Sequence, residues 1–495
     1  MLVPTLAFLA TTVSLPSLAL AASSSTTATP HSHATPTGAS NAARTTTTTT
    51  AAPAAATTAV TSDSSSYSTT SAAASLANPD RTTEQGEAQI LNPQQECSYY
   101  SYAPVTEVIN TYPDIWVTAD LSNSGITQSD RDLFAQLNAS IPDIAPRGTR
   151  AGDFTGVSYD SSDPDCWWTY NKCTTPKIKT IPDDVTLCQE PNSWGFTLDD
   201  GPNCSHNAYF DYLESIKQKA TLFYIGSNVL DWPLEAQRGL QDGHEICAHT
   251  WSHPYMTSMT NEQAFAELYF SKKAIKDVLG ITVRCWRPPY GDVDDRIRYI
   301  AEALDMKTII WTEDTFDYDW VTLGKDAIRK NYEAILAKQA AGDYNEVGVI
   351  VLTHEIDGGT MELSQEFLPQ MQAQFSGGVV PVGTCMNNTN PYVETADYTY
   401  PNYAQYMSGT RSISLATPTA NPSAGEELVL TVSSTATATT SGASRLAQSG
   451  AVSTSAAESG SASKASSSDK AASAAKVVVG GLASLAGVAI GALLV

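Results

Sequence analysis

One alternation constrains this chain more than any other feature. From Ile181 to His354, short apolar runs of strand length take turns with segments of helical period. The runs fall at 194–198, 221–225, 245–248, 283–286, 308–311 and 347–352. Helices are expected over 208–219, 232–240, 263–279, 294–304 and 325–339, the third closed by Gly280. Repeated strand–helix units return each strand in the same direction, so the fold class is α/β, with a parallel sheet or barrel. The runs also end in polar clusters, and in such folds the residues that follow the strands gather at one face.

The flanks are poor material for a core. Residues 22–83 and 401–468 are dominated by Ser, Thr and Ala, with too little apolar surface to offset the entropy of ordering a backbone. They are expected to be disordered, O-glycosylated stalks. The apolar run 1–21 closes with Ala19-Leu20-Ala21, the small-x-small pattern of a signal-peptidase site. At the other end, small residues from Ser463 to Ser468, a spacer and the uncharged run Val477 to Val495 have the layout of a GPI-attachment signal over 469–495, removed on maturation. A single-pass span would fit the length of that run, but no basic flank follows it. The expected product is a folded head with an N-terminal extension, 84–184, packed on a catalytic domain, 185–400. Stalk and lipid would hold it at the outer face of the plasma membrane and the cell wall. The extension is rich in aromatic residues, among them Trp116, Trp167 and Trp168, which suits packing on the barrel or a subsite for substrate.

Formal net charge is -24, from 28 Lys+Arg against 52 Asp+Glu. That sign repels a phosphate backbone and argues against nucleic acid as a partner. All 8 cysteines lie in the head and none forms a CxxC pair, which favours disulfides over a structural zinc site. Sequons stand at Asn138, Asn203 and Asn387. A monomer is expected.

The chemistry concentrates in the polar clusters. His249-Thr250-Trp251-Ser252-His253 sets two imidazoles at i and i+4, which on a helical turn would face one side and share a metal ion. No Glu follows the first His, so this is not the metalloprotease pattern. Asp200, after the first strand, is the best third ligand, and two His with one Asp suit a catalytic zinc or a similar divalent ion. Its neighbour Asp199 would keep a free oxygen as general base. Taken singly, the histidines also suit a satisfied surface pair, and Asp199-Asp200-Gly201 an ordinary turn. Arg287-Pro288-Pro289-Tyr290-Gly291 is a proline-stiffened loop that would fix a guanidinium or a backbone N–H. Asp314 and Asp317 offer a partner for Arg287, and His354 offers a general acid for a leaving amine.

Together, Thr197-Leu198-Asp199-Asp200-Gly201, the His249 to His253 segment, Arg287-Pro288-Pro289-Tyr290 and Leu352-Thr353-His354 resemble the motifs of the polysaccharide deacetylase family (NodB homology, carbohydrate esterase family 4). The stalk and tail resemble those of fungal chitin deacetylases. The resemblance implies a distorted (β/α) barrel that hydrolyses N-acetyl groups of N-acetylglucosamine residues in chitin, giving chitosan and acetate, with one Zn2+ or Co2+ ion. It assigns Asp199 as general base and Asp200, His249 and His253 as metal ligands. It makes Arg287 the group that orients Asp199, itself held by Asp317. The backbone N–H of Tyr290 becomes an oxyanion donor, Trp311 and Leu352 line the acetyl pocket, and His354 is the general acid. A bond between Cys188 and Cys385 is implied as well. Chitin or chitooligosaccharide, cell-wall polysaccharide and the GPI lipid are the implied partners.

Two motifs depart from the family pattern. Leu198 stands where Phe is commoner. The usual Asp-x-x-Asp-Trp reads Asp314-Thr315-Phe316-Asp317-Tyr318, and a second frame sets Asp319 beside Trp320. A non-catalytic wall-binding or structural protein would share the outline of stalk, head and anchor, but has no use for intact Asp199, Asp200, His249, His253 and His354. A different acetylated polysaccharide would suit the same motifs.

Overall fold

Strand β1 (Trp194–Gly201) is buried along nearly all its length, with Trp194, Phe196 and Leu198 closed to solvent. A strand covered on both faces belongs in the middle of a parallel sheet, and that is where it lies. The other strands are β2 (Thr221–Tyr224), β3 (Glu245–Ala248), β4 (Cys285–Trp286), β5 (Lys307–Thr308), β6 (Glu313–Asp314), β7 (Val349–Leu352) and β8 (Val379–Val380). This computed structural model describes residues 75–395, 398–410, 412–417 and 420, all within the compact unit Ser68–Val495. The sheet is parallel, in the order β5-β4-β3-β2-β1-β7-β6, and β8 pairs with the start of β1. Among the described residues, β5 and β6 at the ends of that order do not pair with each other. The curled sheet is therefore a distorted, incompletely closed α/β barrel, and Val185 joins its open side through a bridge to Ile309.

Helices return the chain outside the sheet. The longest, Asn261–Leu279, starts at a capping box between Thr260 and Gln263 and stops where Gly280 takes φ 78. Its Phe265, Leu268, Phe270, Ile275 and Leu279 are buried, each worth about 1.5–3 kcal/mol relative to exposure. Helices Gly226–Asp231 and Gly358–Gln374 went unmarked by periodicity. The second opens on Gly358-Gly359 and contains Pro369, residues that ordinarily argue against a helix.

The extension is part of the core. Val105, Tyr112, Leu121, Ile126 and Leu137 join the main apolar cluster. Disulfides link Cys97 to Cys204, Cys166 to Cys173, Cys188 to Cys385 and Cys247 to Cys285. Asp292 fastens the extension to the barrel, accepting from Trp167 Nε1 at 2.9 Å and from the Thr257 N–H and hydroxyl at 2.8 Å each.

The head outruns the expected boundaries of 84 and 400. Thr83 caps the helix Glu84–Glu87, and Arg81 pairs with Glu87 at 3.1 Å. Beyond 400, Tyr403–Ser408 is helical, Thr399 pairs with Ser414, and Ile413 and Leu415 pack on the core. A few apolar residues inside a Ser/Thr-rich stretch sufficed to order it, which an average over that stretch hides. The signal segment, the attachment signal and most of both stalks lie outside the described residues. Among the described residues no helix is long and apolar enough to cross a membrane.

Candidate metal and catalytic site

Strand β1 ends in an irregularity. Its register against β2 shifts between Asp199 and Gly201, and Asp200 has φ 70. Successive strand residues ordinarily face opposite sides, and a bulge re-aims one of them. Here Asp199 meets Arg287 while Asp200 meets two imidazoles. A Cβ on Gly201, next in line, would stand 1.6 Å from Glu355 Oε1, so any larger residue there would displace that buried carboxylate.

Asp200 Oδ1 lies 3.2 Å from His249 Nε2 and 3.2 Å from His253 Nε2. One donor atom from each of the three residues falls within 4.8 Å of the others. His249 Nδ1 is 2.8 Å from the Arg287 carbonyl, which can only accept, so Nδ1 carries a proton and Nε2 faces Asp200. The Asp200 Oδ1 atom is buried without a hydrogen-bond partner. Burial opposes its charge, but the imidazoles of His253 and His249 hold the Asp200 carboxyl well below the usual range. An orphaned carboxylate oxygen with two imidazole nitrogens is a donor set that fits a divalent ion. Two further groupings, Asp163 with Cys166 and Cys173, and Glu245 with Cys247 and Cys285, rely on sulfurs already bound in disulfides.

The histidines do not ride on a helical turn, as their spacing suggested. Residues 249–253 form a loop after β3, with Thr250 at φ 65 and His253 at φ 56 in the left-handed region. Glu267, buried on the helix Asn261–Leu279, holds this loop. Its Oε2 accepts from the N–H groups of Trp251 (2.9 Å) and Ser252 (2.8 Å). Its Oε1 accepts from Ser252 Oγ (2.7 Å) and from the extension's Ala119 N–H (2.8 Å). Sequence reading missed Glu267, because a glutamate in a helix carries no mark of partners that only tertiary packing brings near.

Asp199 is 2% exposed, and its Oδ1 accepts from Arg287 Nη1 at 2.7 Å. Arg287, itself fully buried, also donates to Thr197 Oγ1 at 2.9 Å and lies 4.1 Å from the centre of the Phe223 ring. The expected support of Arg287 by Asp317 is replaced by a different pairing. Asp317 accepts from the His354 backbone N–H at 2.8 Å, and its Oδ1 lies 2.6 Å from His354 Nδ1. The 3-10 turn Asp317–Asp319, entered through Phe316 at φ 54, turns that carboxylate toward the end of β7, whereas Arg287 reaches β1. In the second frame, Trp320 donates from Nε1 to Asp357 at 3.0 Å. Burial opposes a charged His354 ring, but the Asp317 carboxylate beside it pushes His354 up to about 10. Burial pushes Asp314, the other candidate partner of Arg287, up to about 6.

The remaining expected residues surround this centre. Tyr290, at φ 57, sets its ring 4.7 Å from that of His253 and stacks on Tyr255 at 4.0 Å. Leu352 is buried at the end of β7, in register with Asp314. Trp311 is half-buried, its ring 5.0 Å from Trp168 and 5.6 Å from the Arg287 guanidinium. Tyr318, which stands where the family motif has Trp and is given no role by the sequence, meets the His354 ring edge-on at 5.2 Å. Of the sequon residues, Asn138 and Asn387 are exposed. Asn203 is half-buried, accepting from the Ser205 N–H at 2.7 Å and donating to the Ile356 carbonyl.

The polysaccharide deacetylase family model matches residues 186–309. Over 341 residues the chain is 49% identical to chitin deacetylase 2 of Cryptococcus neoformans var. grubii, covering 68% of this chain and 74% of that protein. It is 44% identical over 328 residues to a chitin deacetylase of Amylomyces rouxii, covering 65% of this chain and 76% of that one. Among solved structures, the chitin deacetylase of the fungal pathogen Colletotrichum lindemuthianum aligns at 22% identity with a TM-score of 0.40, over 43% of this chain and 96% of its own.

Proposed function

The chain belongs to the polysaccharide deacetylase family, and from that premise we propose how it removes acetyl groups from chitin. It is a metal-dependent hydrolase of N-acetyl groups on chitin-like polymers, releasing acetate and leaving an amine. One observation carries the assignment of roles: an Asp–His–His donor set, an arginine-held carboxylate and an aspartate-held imidazole meet beyond the carboxyl ends of β1, β3, β4 and β7.

Asp200, His249 and His253 hold a divalent ion, zinc or cobalt. When bound, that ion supplies Lewis acidity and lowers the pKa of water. Asp199, one oxygen fixed by Arg287, keeps Oδ2 on the side of the ligands, 3.9 Å from His249 Nε2, and takes the proton of the attacking water. The Tyr290 N–H donates to the acetyl oxygen as charge develops on it. Leu352 and Trp311 enclose the acetyl methyl group. With Nδ1 occupied by Asp317, His354 gives its Nε2 proton to the amine nitrogen as the C–N bond breaks. These roles lie within one chain, which supports action as a monomer. The disulfides support passage through an oxidising compartment. The reading extends to a secreted head, glycosylated at Asn138 and Asn387, on a Ser/Thr-rich stalk and a GPI lipid at the wall.

The test is acetate release from N-acetylglucosamine oligomers by the secreted protein after chelation, then with zinc or cobalt restored, beside Asp199→Asn. Release should return with metal, and the variant should lose about 10²–10⁴-fold in kcat, the usual contribution of a general base. Full activity in Asp199→Asn would remove the base assignment, and activity indifferent to chelation would remove the metal.

A further inference from the structure

The extension brings one exposed aromatic ring to the edge of the site. Trp116 is 42% exposed although its backbone is held on every side. Its N–H donates to Ser227 Oγ at 3.0 Å, and that hydroxyl donates to the Trp251 carbonyl in the metal-ligand loop at 2.6 Å. Arg150 Nη2 donates to the Trp116 carbonyl at 3.4 Å and to the Ser252 carbonyl at 2.9 Å. Two residues therefore stand between Trp116 and the metal ligands on either path. Ser252 precedes His253, and Ser227 precedes Asn228, whose side chain donates to the Asp200 carbonyl at 2.8 Å.

The backbone at Trp116 has φ 62, a left-handed conformation that bulky side chains rarely adopt and that tends to persist at functional sites. The backbone of Trp116 is pinned at both its N–H and its carbonyl while the ring stays open to solvent. Tyr255, whose N–H donates to the Arg150 carbonyl at 3.1 Å, stacks beneath Tyr290, a second open ring beside His253. Preset flat rings cost little entropy on binding, and the C–H face of a pyranose is apolar and matches the negative face of an aromatic ring.

We propose that Trp116 is a stacking platform for a pyranose of the substrate chain beyond the sugar being deacetylated, so that the extension takes part in selecting oligomer length. This rests on the deacetylase reading above. Kinetics of the full secreted protein on oligomers from two to six N-acetylglucosamine units test it, with Trp116→Ala and Trp116→Tyr. The ratio of kcat/KM for the hexamer to that for the dimer should fall about tenfold in Trp116→Ala, through KM, and largely return in Trp116→Tyr. An unchanged ratio, with all lengths reduced alike, would overturn the proposal and leave Trp116 a packing residue. If the wild type releases no acetate from any length, the catalytic reading fails, and calorimetry of hexamer binding decides this one. Weaker binding by Trp116→Ala upholds it and equal binding overturns it.

Discussion

His354 and Asp317 illustrate how one contact sets a residue's chemistry. A histidine taken out of water would ordinarily lose its proton, yet the carboxylate at 2.6 Å pushes His354 up to about 10. Removing that negative charge leaves desolvation in command. In Asp317→Asn the basic limb of the pH–kcat profile should therefore move to lower pH, since the imidazole gives up its proton sooner. Because Asn still accepts from the His354 backbone N–H, the local fold should survive, and an unmoved basic limb would deny His354 the role of acid. Sequence identified both residues, but assigned Asp317 to Arg287. The error was one of direction: the 3-10 turn after Phe316 decides where that carboxylate points, and no local pattern announces a left-handed residue at a phenylalanine.

Two segments depend on groups supplied from elsewhere. The 249–253 loop would fit a helical turn by spacing, but Glu267 satisfies its N–H groups and frees it from that geometry. The start of the extension docks on buried acids. Glu96 is fully buried, accepts from the Asn207 N–H at 2.7 Å, and is pushed by burial up to about 8. Burial also raises Glu87 and Glu235. The folded form of such a group is neutral, so the unfolded chain gains by ionising from its ordinary 4.5 upward. Stability from this element should be complete below about pH 4.5 and decline until about pH 8. Melting temperature against pH should show that slope in the wild type and less of it in Glu96→Gln, which keeps the acceptor for Asn207 and removes the ionisation.

At the scale of the whole molecule, Cys188 and Cys385 close a loop of 197 residues around the barrel. A cross-link of that span removes much unfolded-chain entropy, about 5 kcal/mol in the loop-entropy account. Replacing both cysteines by serine should lower the denaturation midpoint markedly while leaving an intact site, read as unchanged metal binding at low temperature. By itself the sequence determined the strand–helix alternation and the presence, after the strands, of the aspartates, histidines and arginine that meet in the structure. These follow from apolar periodicity and from the few side chains able to bind metal or move protons. Tertiary structure alone decided the bulge that divides Asp199 from Asp200, the pairing of Asp317 with His354, the Glu267 clamp and the reach of the head to Arg81 and Leu415. Each depends on groups that lie apart in the chain or on a backbone turned left-handed by its surroundings, and local composition records neither.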